Sequence, residues 1–459
     1  MKARPRGFRW VLVGFLLVCT SCFPPKRLAE LHYAAGMNKL QSGNLTNALF
    51  EFSSAIKLND QHADAWYQRG LLKQLFSDYD GAANDYNHAI QLNPTNVMAL
   101  VNRGSCKRSL KDLPGAITDF TQAIVLQPKD ATAYLCRGVC RASLHDRDGA
   151  ANDLDKAVEF NPKDALAYRA RAAVQVLRKE YEKAVADAST AIEMGDVDGP
   201  SYVVRGHAEC SLKDFGAALA DFDAALKRNP TDGEVYAGRA GAKLLADDFD
   251  GADADLKRAL QLTPKSVTAF VARGLLSMKC GEVDAALANS HRAIELGPQL
   301  AEPYELLGLL QYDLRQWPPA LENLRKALAV DSSINDSRPF IWLIRSQTGE
   351  AQDATEELDA YIGSLQGEKA NEWAASVARF LADHLPESEF FSDAVATAKR
   401  PSAIPGQMTE AFYYAGMKRK LAGDAETAAN LFQKSLDVGN DNNFCYFSAC
   451  AELRARDAP

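Results

Sequence analysis

The sequence contains few of the features that mark enzymes and nucleic-acid-binding proteins. No HExxH, GxSxG, GxxxxGK[ST] or dinucleotide-type GxGxxG motif occurs in its 459 residues, and its seven histidines are scattered. Long basic runs are missing and the net charge is −8, which argues against nucleic acid as a partner. We therefore expect no catalytic residues, no cofactor, no metal and no nucleic-acid partner.

Cysteine motifs are also scarce in the body of the chain. The seven cysteines after residue 22 form no CxxC pair and no zinc-type spacing. Cys106 and Cys140 stand 34 residues apart, at the same position of two successive sequence repeats. We expect these seven thiols to be mostly buried small core residues.

The N-terminus holds a short apolar run in a distinctive order. Four basic residues lie within 1–9, WVLVGFLLV (10–18) follows, and CTSC (19–22) comes next. This is the layout of a secretory signal, and the run is too short to span a bilayer. Ser21 before Cys22 resembles a bacterial lipobox, which predicts a signal peptide over 1–21, lipidation at Cys22 and a linker over 22–28. A plain secretory signal cleaved nearby, or an uncleaved anchor, stays open because Cys19 stands where leucine is usual.

What the chain has in abundance is a repeat of 34 residues. AWYQRG (65–70) returns as ALVNRG (99–104), AYLCRG (133–138) and four further versions at the same step. Small residues recur twelve and nineteen positions after each Gly or Ala slot, and proline closes most units. Nine units cover 29–334 without an insertion or deletion.

This unit resembles the tetratricopeptide repeat, a helix–turn–helix motif. The resemblance implies an all-α fold: an α-solenoid, a right-handed superhelix, in which stacked units share one continuous core. Small residues let the two helices of a unit, here called helix A and helix B, approach closely.

An arginine precedes the Gly or Ala slot seven times, and an acid recurs on helix B in the same phase. Pairing within a unit joins residues 16 apart and leaves Glu51 and Arg273 without charged partners. Pairing across units joins residues 18 apart and gives every member a partner. The sequence therefore predicts an inter-unit ladder of seven pairs. These are Glu51–Arg69, Asp85–Arg103, Asp119–Arg137, Asp153–Arg171, Asp187–Arg205, Asp221–Arg239 and Asp255–Arg273.

Helix A lines the concave groove in this fold, which predicts the partner-binding residues. The candidates are Tyr67, Arg108, Arg169, His207 and Tyr312. The lysine and asparagine cluster with which some family members clamp terminal carboxylates is absent. The groove is mildly apolar, as suits an extended peptide or a partner helix.

The C-terminal third departs from the regular pattern. We expect a degenerate unit over 335–368, an irregular helical insert over 369–408, a further unit over 409–442, and a capping helix and tail over 443–459. Residues 340–453 resemble the C-terminal part of an enterobacterial family of outer-membrane repeat lipoproteins, which are adaptors of cell-wall hydrolases and a tail-specific protease. The resemblance rests on FYYAG…AGDAETAANLF and NNFCYFSACAEL.

Together these features predict a non-catalytic, lipid-anchored scaffold that binds protein or peptide partners in a bacterial cell envelope, most simply at the outer membrane facing the periplasm. A secreted or periplasmic protein is the alternative location. A structural component of a secretion or pilus assembly, and a non-catalytic regulator of a cell-wall enzyme, are the alternative functions. The sequence leaves the oligomeric state open.

Overall fold

A computed structural model describes residues 24–196, 199–332, 334, 337–367, 372–398, 401–439 and 443–456. The predicted signal peptide and Cys22 therefore lie outside the described residues. The chain divides into two compact units between residues 197 and 198. No helix within the described ranges is long and apolar enough to cross a membrane.

The first compact unit consists of five helix pairs. They are α1 (Pro25–Gln41), α2 (Leu45–Leu58), α3 (Ala63–Leu75), α4 (Tyr79–Leu92), α5 (Val97–Ser109), α6 (Leu113–Leu126), α7 (Ala131–Ser143), α8 (Arg147–Phe160), α9 (Ala165–Leu177) and α10 (Tyr181–Glu193).

The second compact unit continues the alternation of helices A and B. Its regular part contains α11 (Pro200–Ser211), α12 (Phe215–Arg228), α13 (Gly233–Leu245), α14 (Phe249–Leu262), α15 (Val267–Lys279), α16 (Val283–Leu296), α17 (Glu302–Asp313) and α18 (Trp317–Val330).

The C-terminal part of this unit has less even helices. They are α19 (Ser337–Gln347), α20 (Ala351–Ser364), α21 (Trp373–Leu381), α22 (Glu387–Ala396), a 3₁₀ turn (Pro401–Ala403), α23 (Ile404–Leu421), α24 (Ala425–Asp437) and α25 (Phe444–Arg456). The predicted all-α fold of stacked helical repeats is confirmed.

The turn between helix A and helix B is built the same way in most repeats. One residue takes a left-handed conformation, as Lys111 does at φ 67°, and an aspartate then caps helix B. The Asp112 side chain accepts a hydrogen bond from the Gly115 backbone N–H at 2.9 Å. This satisfies an N–H group that the helix itself leaves unpaired, so each turn fixes the start of helix B.

The Gly or Ala slot is where the two helices of a repeat meet most closely. A Cβ atom added to Gly70 would lie 2.8 Å from a ring carbon of Tyr86, which is fully buried on helix B. Ala172 is tolerated in the same slot, and the residue sixteen positions later is then the small Ala188. The slot and its facing residue on helix B are therefore matched in size, as close packing requires.

Candidate functional site

The arginine before each Gly or Ala slot pairs with the acid of its own repeat, so the predicted inter-unit ladder is wrong. In the first such pair, Arg69 Nε lies 2.7 Å from Asp85 Oδ2 and Nη2 lies 2.8 Å from Asp85 Oδ1. The same two-bond fork recurs through the array, always between residues 16 apart. The further pairs are Arg103–Asp119, Arg137–Asp153, Arg171–Asp187, Arg205–Asp221 and Arg239–Asp255.

The ladder failed because its two ends have uncharged or histidine partners, which the argument from matched charges left out. Glu51, predicted to pair with Arg69, instead lies 2.6 Å from His32 Nδ1. Arg273, predicted to pair with Asp255, donates from Nε to Asn289 Oδ1 at 2.8 Å. Pairing within a repeat therefore leaves neither end without a polar partner.

The arginines nevertheless connect neighbouring repeats through their third nitrogen. Arg103 Nη1 donates to Asn87 Oδ1 at 2.7 Å, and Asn87 lies on helix B of the preceding repeat. Arg137 Nη1 donates likewise to Thr121 Oγ1 at 3.1 Å. The planar guanidinium thus grips one carboxylate and reaches a second helix at once, which a lysine ammonium would do less rigidly.

A second cation on helix A completes most of these pairs, and the sequence reasoning missed it. Lys73 Nζ lies 2.9 Å from Asp85, and Lys107 Nζ lies 2.9 Å from Asp119. Arg141 and Lys243 do the same in their own repeats. The recurrence of a basic residue three positions after the slot was the available signal. At the corresponding position Gln175 bonds Asp187, whereas Glu209 places a carboxylate there.

The aromatic residue four before the slot lies beside the arginine. The Arg69 guanidinium carbon is 4.8 Å from the ring centroid of Trp66, and Arg273 is 5.0 Å from that of Phe270. Tyr134, Tyr168, Tyr202 and Tyr236 have similar neighbours. A buried acid, one or two cations and an aromatic ring therefore form a structural cluster in each repeat, with no free group that suggests catalysis.

We call the surface formed by helices A the helix-A face, and three of the predicted groove residues lie on it in the first compact unit. Tyr67 is half-buried, and its hydroxyl accepts a hydrogen bond from Asn102 Nδ2 at 3.2 Å. Arg169 Nη1 lies 2.9 Å from Asp196 Oδ2. Arg108 is half-buried near Cys136, where burial raises the thiol pKa and the guanidinium partly opposes that rise.

The other two predicted groove residues, both in the second compact unit, have contrasting surroundings. His207 is exposed, and its ring meets that of Phe222 edge-on with centroids 5.2 Å apart. Tyr312 is only 2 % exposed, and its hydroxyl lies 2.8 Å from that of Tyr413. The assignment of Tyr312 to an open groove is therefore wrong, because residues 101 positions further along the chain cover it.

The C-terminal helix α25 packs on the helix-A face near Tyr312. Ser448 Oγ donates to Asp313 Oδ1 at 2.6 Å, and Arg315 Nη2 lies 3.2 Å from Glu452 Oε2. Phe444 packs against the apolar cluster that contains Leu306 and Leu310. Part of the helix-A face in this unit is therefore occupied by the chain itself.

A cavity of about 920 Å³ lies beside this contact. Its walls include Cys210, Leu245 and Asp247 on one side and Trp373 and Glu410 on the other. Trp373 Nε1 and Asn443 Nδ2 both donate to the Glu410 carboxylate, at 2.6 and 2.7 Å. Sequence reasoning did not find this cavity, because it depends on contacts between distant parts of the chain.

The cysteines follow the expected burial with one exception. Cys106, Cys140 and Cys445 are buried, and Cys136, Cys210 and Cys450 are half-buried. Cys280 is exposed, which corrects the expectation for that residue, because it lies at the turn after α15.

Comparison with known proteins identifies the repeat. The model of the tetratricopeptide repeat family matches residues 76–131 and 204–267. No curated protein matches the chain at a significant level.

Solved structures overlap with parts of the chain. A tetratricopeptide repeat protein from Parabacteroides merdae is 20 % identical over 54 % of this chain and 98 % of its own, with a TM-score of 0.47. PilF of Pseudomonas aeruginosa is 17 % identical over 45 % of this chain and 94 % of its own, with a TM-score of 0.40. YrrB, a TPR protein with an unusual peptide-binding site, is 19 % identical over 41 % of this chain and 98 % of its own, with a TM-score of 0.35.

On the family match and the repeat geometry together, this chain contains tetratricopeptide repeats.

Proposed function

We propose that this protein is a non-catalytic scaffold that binds a protein or peptide partner on its helix-A face. The observation that carries the proposal is the contrast between the two kinds of polar residue in each repeat. The recurring arginines and acids are used in structural pairs, whereas Tyr67, Arg108 and Arg169 vary from repeat to repeat and keep part of their side chains accessible. Variable side chains on a rigid repeated frame are suited to selective recognition.

The proposed partner is a peptide or a helix of mixed polarity. Around Tyr67 the helix-A face offers an aromatic ring and the apolar side chain of Leu71, while Arg108 and Arg169 add hydrogen-bond donors. Such a surface matches a segment with an apolar anchor and acidic neighbours.

We also propose a lipid anchor at Cys22 and a location in the bacterial cell envelope, most simply at the outer membrane. The support is the order of basic residues, apolar run and cysteine in 1–22. The C-terminal resemblance noted above suggests an adaptor of cell-wall enzymes within that location.

The binding proposal is tested by affinity capture from solubilised membranes. Tyr67→Ala and Arg108→Glu should reduce recovery of a specific partner at least fivefold, because both alter the accessible surface. Val125→Ala is the matched control, since Val125 is 73 % exposed on α6, a helix B. Equal recovery with all three variants would place binding elsewhere, provided each variant unfolds at the same temperature as wild type.

The anchor is tested separately by metabolic labelling with a fatty acid. Wild type should incorporate label and Cys22→Ala should not. Incorporation into both proteins would contradict lipidation at this cysteine.

A further inference from the structure

The C-terminal helix α25 presents one face to the rest of its compact unit. Its contact residues Phe444, Ser448 and Glu452 are spaced four apart, which places them in a row along the helix. Each member of the row meets a different chemistry on the surface that receives it.

Phe444 supplies the apolar anchor of the row. It packs against a cluster containing Leu306 and Leu310, to which Val271, Leu275 and Met278 also pack. These side chains lie on the two successive helices A, α15 and α17. The receiving surface is therefore a groove between neighbouring helices A, the kind of surface that accepts the apolar face of a helix.

The other two anchors are polar and meet polar partners. Ser448 Oγ donates to Asp313 Oδ1 at 2.6 Å, and burial raises the pKa of Asp313 to about 7. Glu452 is 9 % exposed and pairs with Arg315 at 3.2 Å and with Lys420. A helix must therefore offer a hydroxyl and an acid at set positions to fit this groove.

From this row of contacts we propose that the helix-A face over residues 267–315 is a docking site for an amphipathic helix. The helix it accepts carries an aromatic residue, a hydroxyl residue and an acid at positions i, i+4 and i+8. The segment α25 is an internal occupant that a partner helix of this pattern displaces. This inference deepens the proposed function, on which it rests, by giving one binding surface and the helix that fits it.

Displacement is physically reasonable because much of the contact is polar. Asp313, Arg315 and Lys420 gain hydration when α25 leaves, which offsets part of the lost hydrogen bonding. The last turn of α25 is exposed at Arg454 and Arg456. Because α25 is tethered, its effective concentration lies near the millimolar range, so an outside helix competes only when α25 is weakened or the partner binds tightly.

The test uses the full chain and a fluorescent synthetic peptide with the sequence of residues 443–456. Wild type should bind this probe weakly, and Phe444→Ala and Glu452→Lys should each bind it at least tenfold more tightly. Both changes weaken the internal occupant and leave the groove intact. Phe447→Ala is the matched control, since the Phe447 ring contacts that of Tyr446, with centroids 5.8 Å apart, and it should bind like wild type.

Site specificity is read with a second probe. A peptide carrying the Glu452→Lys change should bind the Phe444→Ala chain at least tenfold less tightly than the unmodified peptide, because its lysine would meet Arg315 and Lys420. Hydrogen exchange over α17 should show that this helix stays folded in both chain variants.

Equal probe binding by wild type, Phe444→Ala and Glu452→Lys would overturn the inference. Self-association of the Phe444→Ala chain without probe binding would also overturn it, in favour of a second copy as the occupant. Loss of partner capture by Tyr67→Ala reads the proposed function independently, so failure of the one is distinguishable from failure of the other.

Discussion

Glu209 breaks the charge pattern of the repeats and gives the sharpest test of how they are held together. It occupies the slot in which Lys73, Lys107 and Lys243 each place a cation 2.8–2.9 Å from the buried acid of helix B. Its own neighbour is Asp221, only 5 % exposed, and its Oε2 is buried without a hydrogen-bond partner among the described residues. Burial first, and then the Asp221 carboxylate, raise the pKa of Glu209 from 4.5 to about 7.

The direction of the pH dependence follows from that raised pKa. Between about pH 4.5 and 7 the folded repeat holds a proton that the unfolded chain releases, so stability falls as the pH rises through this window. A shift of 2.5 pH units corresponds to about 3 kcal/mol at full ionisation. Wild type should therefore lose about 2–3 kcal/mol of local stability between pH 5 and pH 8 at this repeat.

Glu209→Lys should remove this loss and supply the cation that the other repeats have. The measurement is hydrogen exchange over residues 200–228 at pH 5 and pH 8, corrected for the intrinsic rate, since it reports local opening in an array that need not unfold in one step. The variant should be more protected than wild type at pH 8 by about 2–3 kcal/mol, and Glu209→Gln by a smaller margin. Residues 97–126 are the internal control and should not respond.

The reasoning fails if wild-type protection over 200–228 is the same at both pH values. It also fails if Glu209→Lys lowers protection at pH 8, since that would mean Asp221 does not accept a second cation in this repeat.

Two further changes test the packing and pairing inside the repeats. Asp119→Ala should cost about 3–5 kcal/mol, because Asp119 is 1 % exposed and its loss strands two cations; a double-mutant cycle with Arg103→Ala should be non-additive, whereas a cycle with Arg137→Ala, the partner 18 residues away, should be additive. Gly70→Ala should destabilise by about 1–3 kcal/mol through the clash with Tyr86, while Gly241→Ala, where an added Cβ meets nothing within 4 Å, should stabilise by about 0.5–1 kcal/mol, both read from urea unfolding.

The repeat itself was predictable because it depends on local rules that recur at a fixed step. Small residues at Gly70 and Ala82 and proline at 94 are signals of close helix packing and helix ending, and nothing distant alters them. The size match between Gly70 and Tyr86 shows the same local logic in the structure.

The pairing register was not predictable from charge alone. Spacings of 16 and 18 residues are both compatible with two antiparallel helices, and the decision rested on the ends of the series. His32 with Glu51 and Asn289 with Arg273 complete those ends without an opposite formal charge. Hydrogen-bonding capacity was therefore the quantity to count.

The covered part of the helix-A face was out of reach for a different reason. The contacts of Tyr312 with Tyr413 and of Asp313 with Ser448 join residues more than 100 positions apart. No periodic pattern links these positions, so the sequence could indicate that a C-terminal helix exists but could not give the surface that receives it.

The most direct test of the central claim, that the helix-A face binds a partner, is site-specific photo-crosslinking in living cells. A photoreactive amino acid at position 67 or 108 should crosslink to the same partner protein, and one at position 125, on a helix B, should not. Crosslinking of that partner from position 125 alone, or equally from all three positions, would contradict the account.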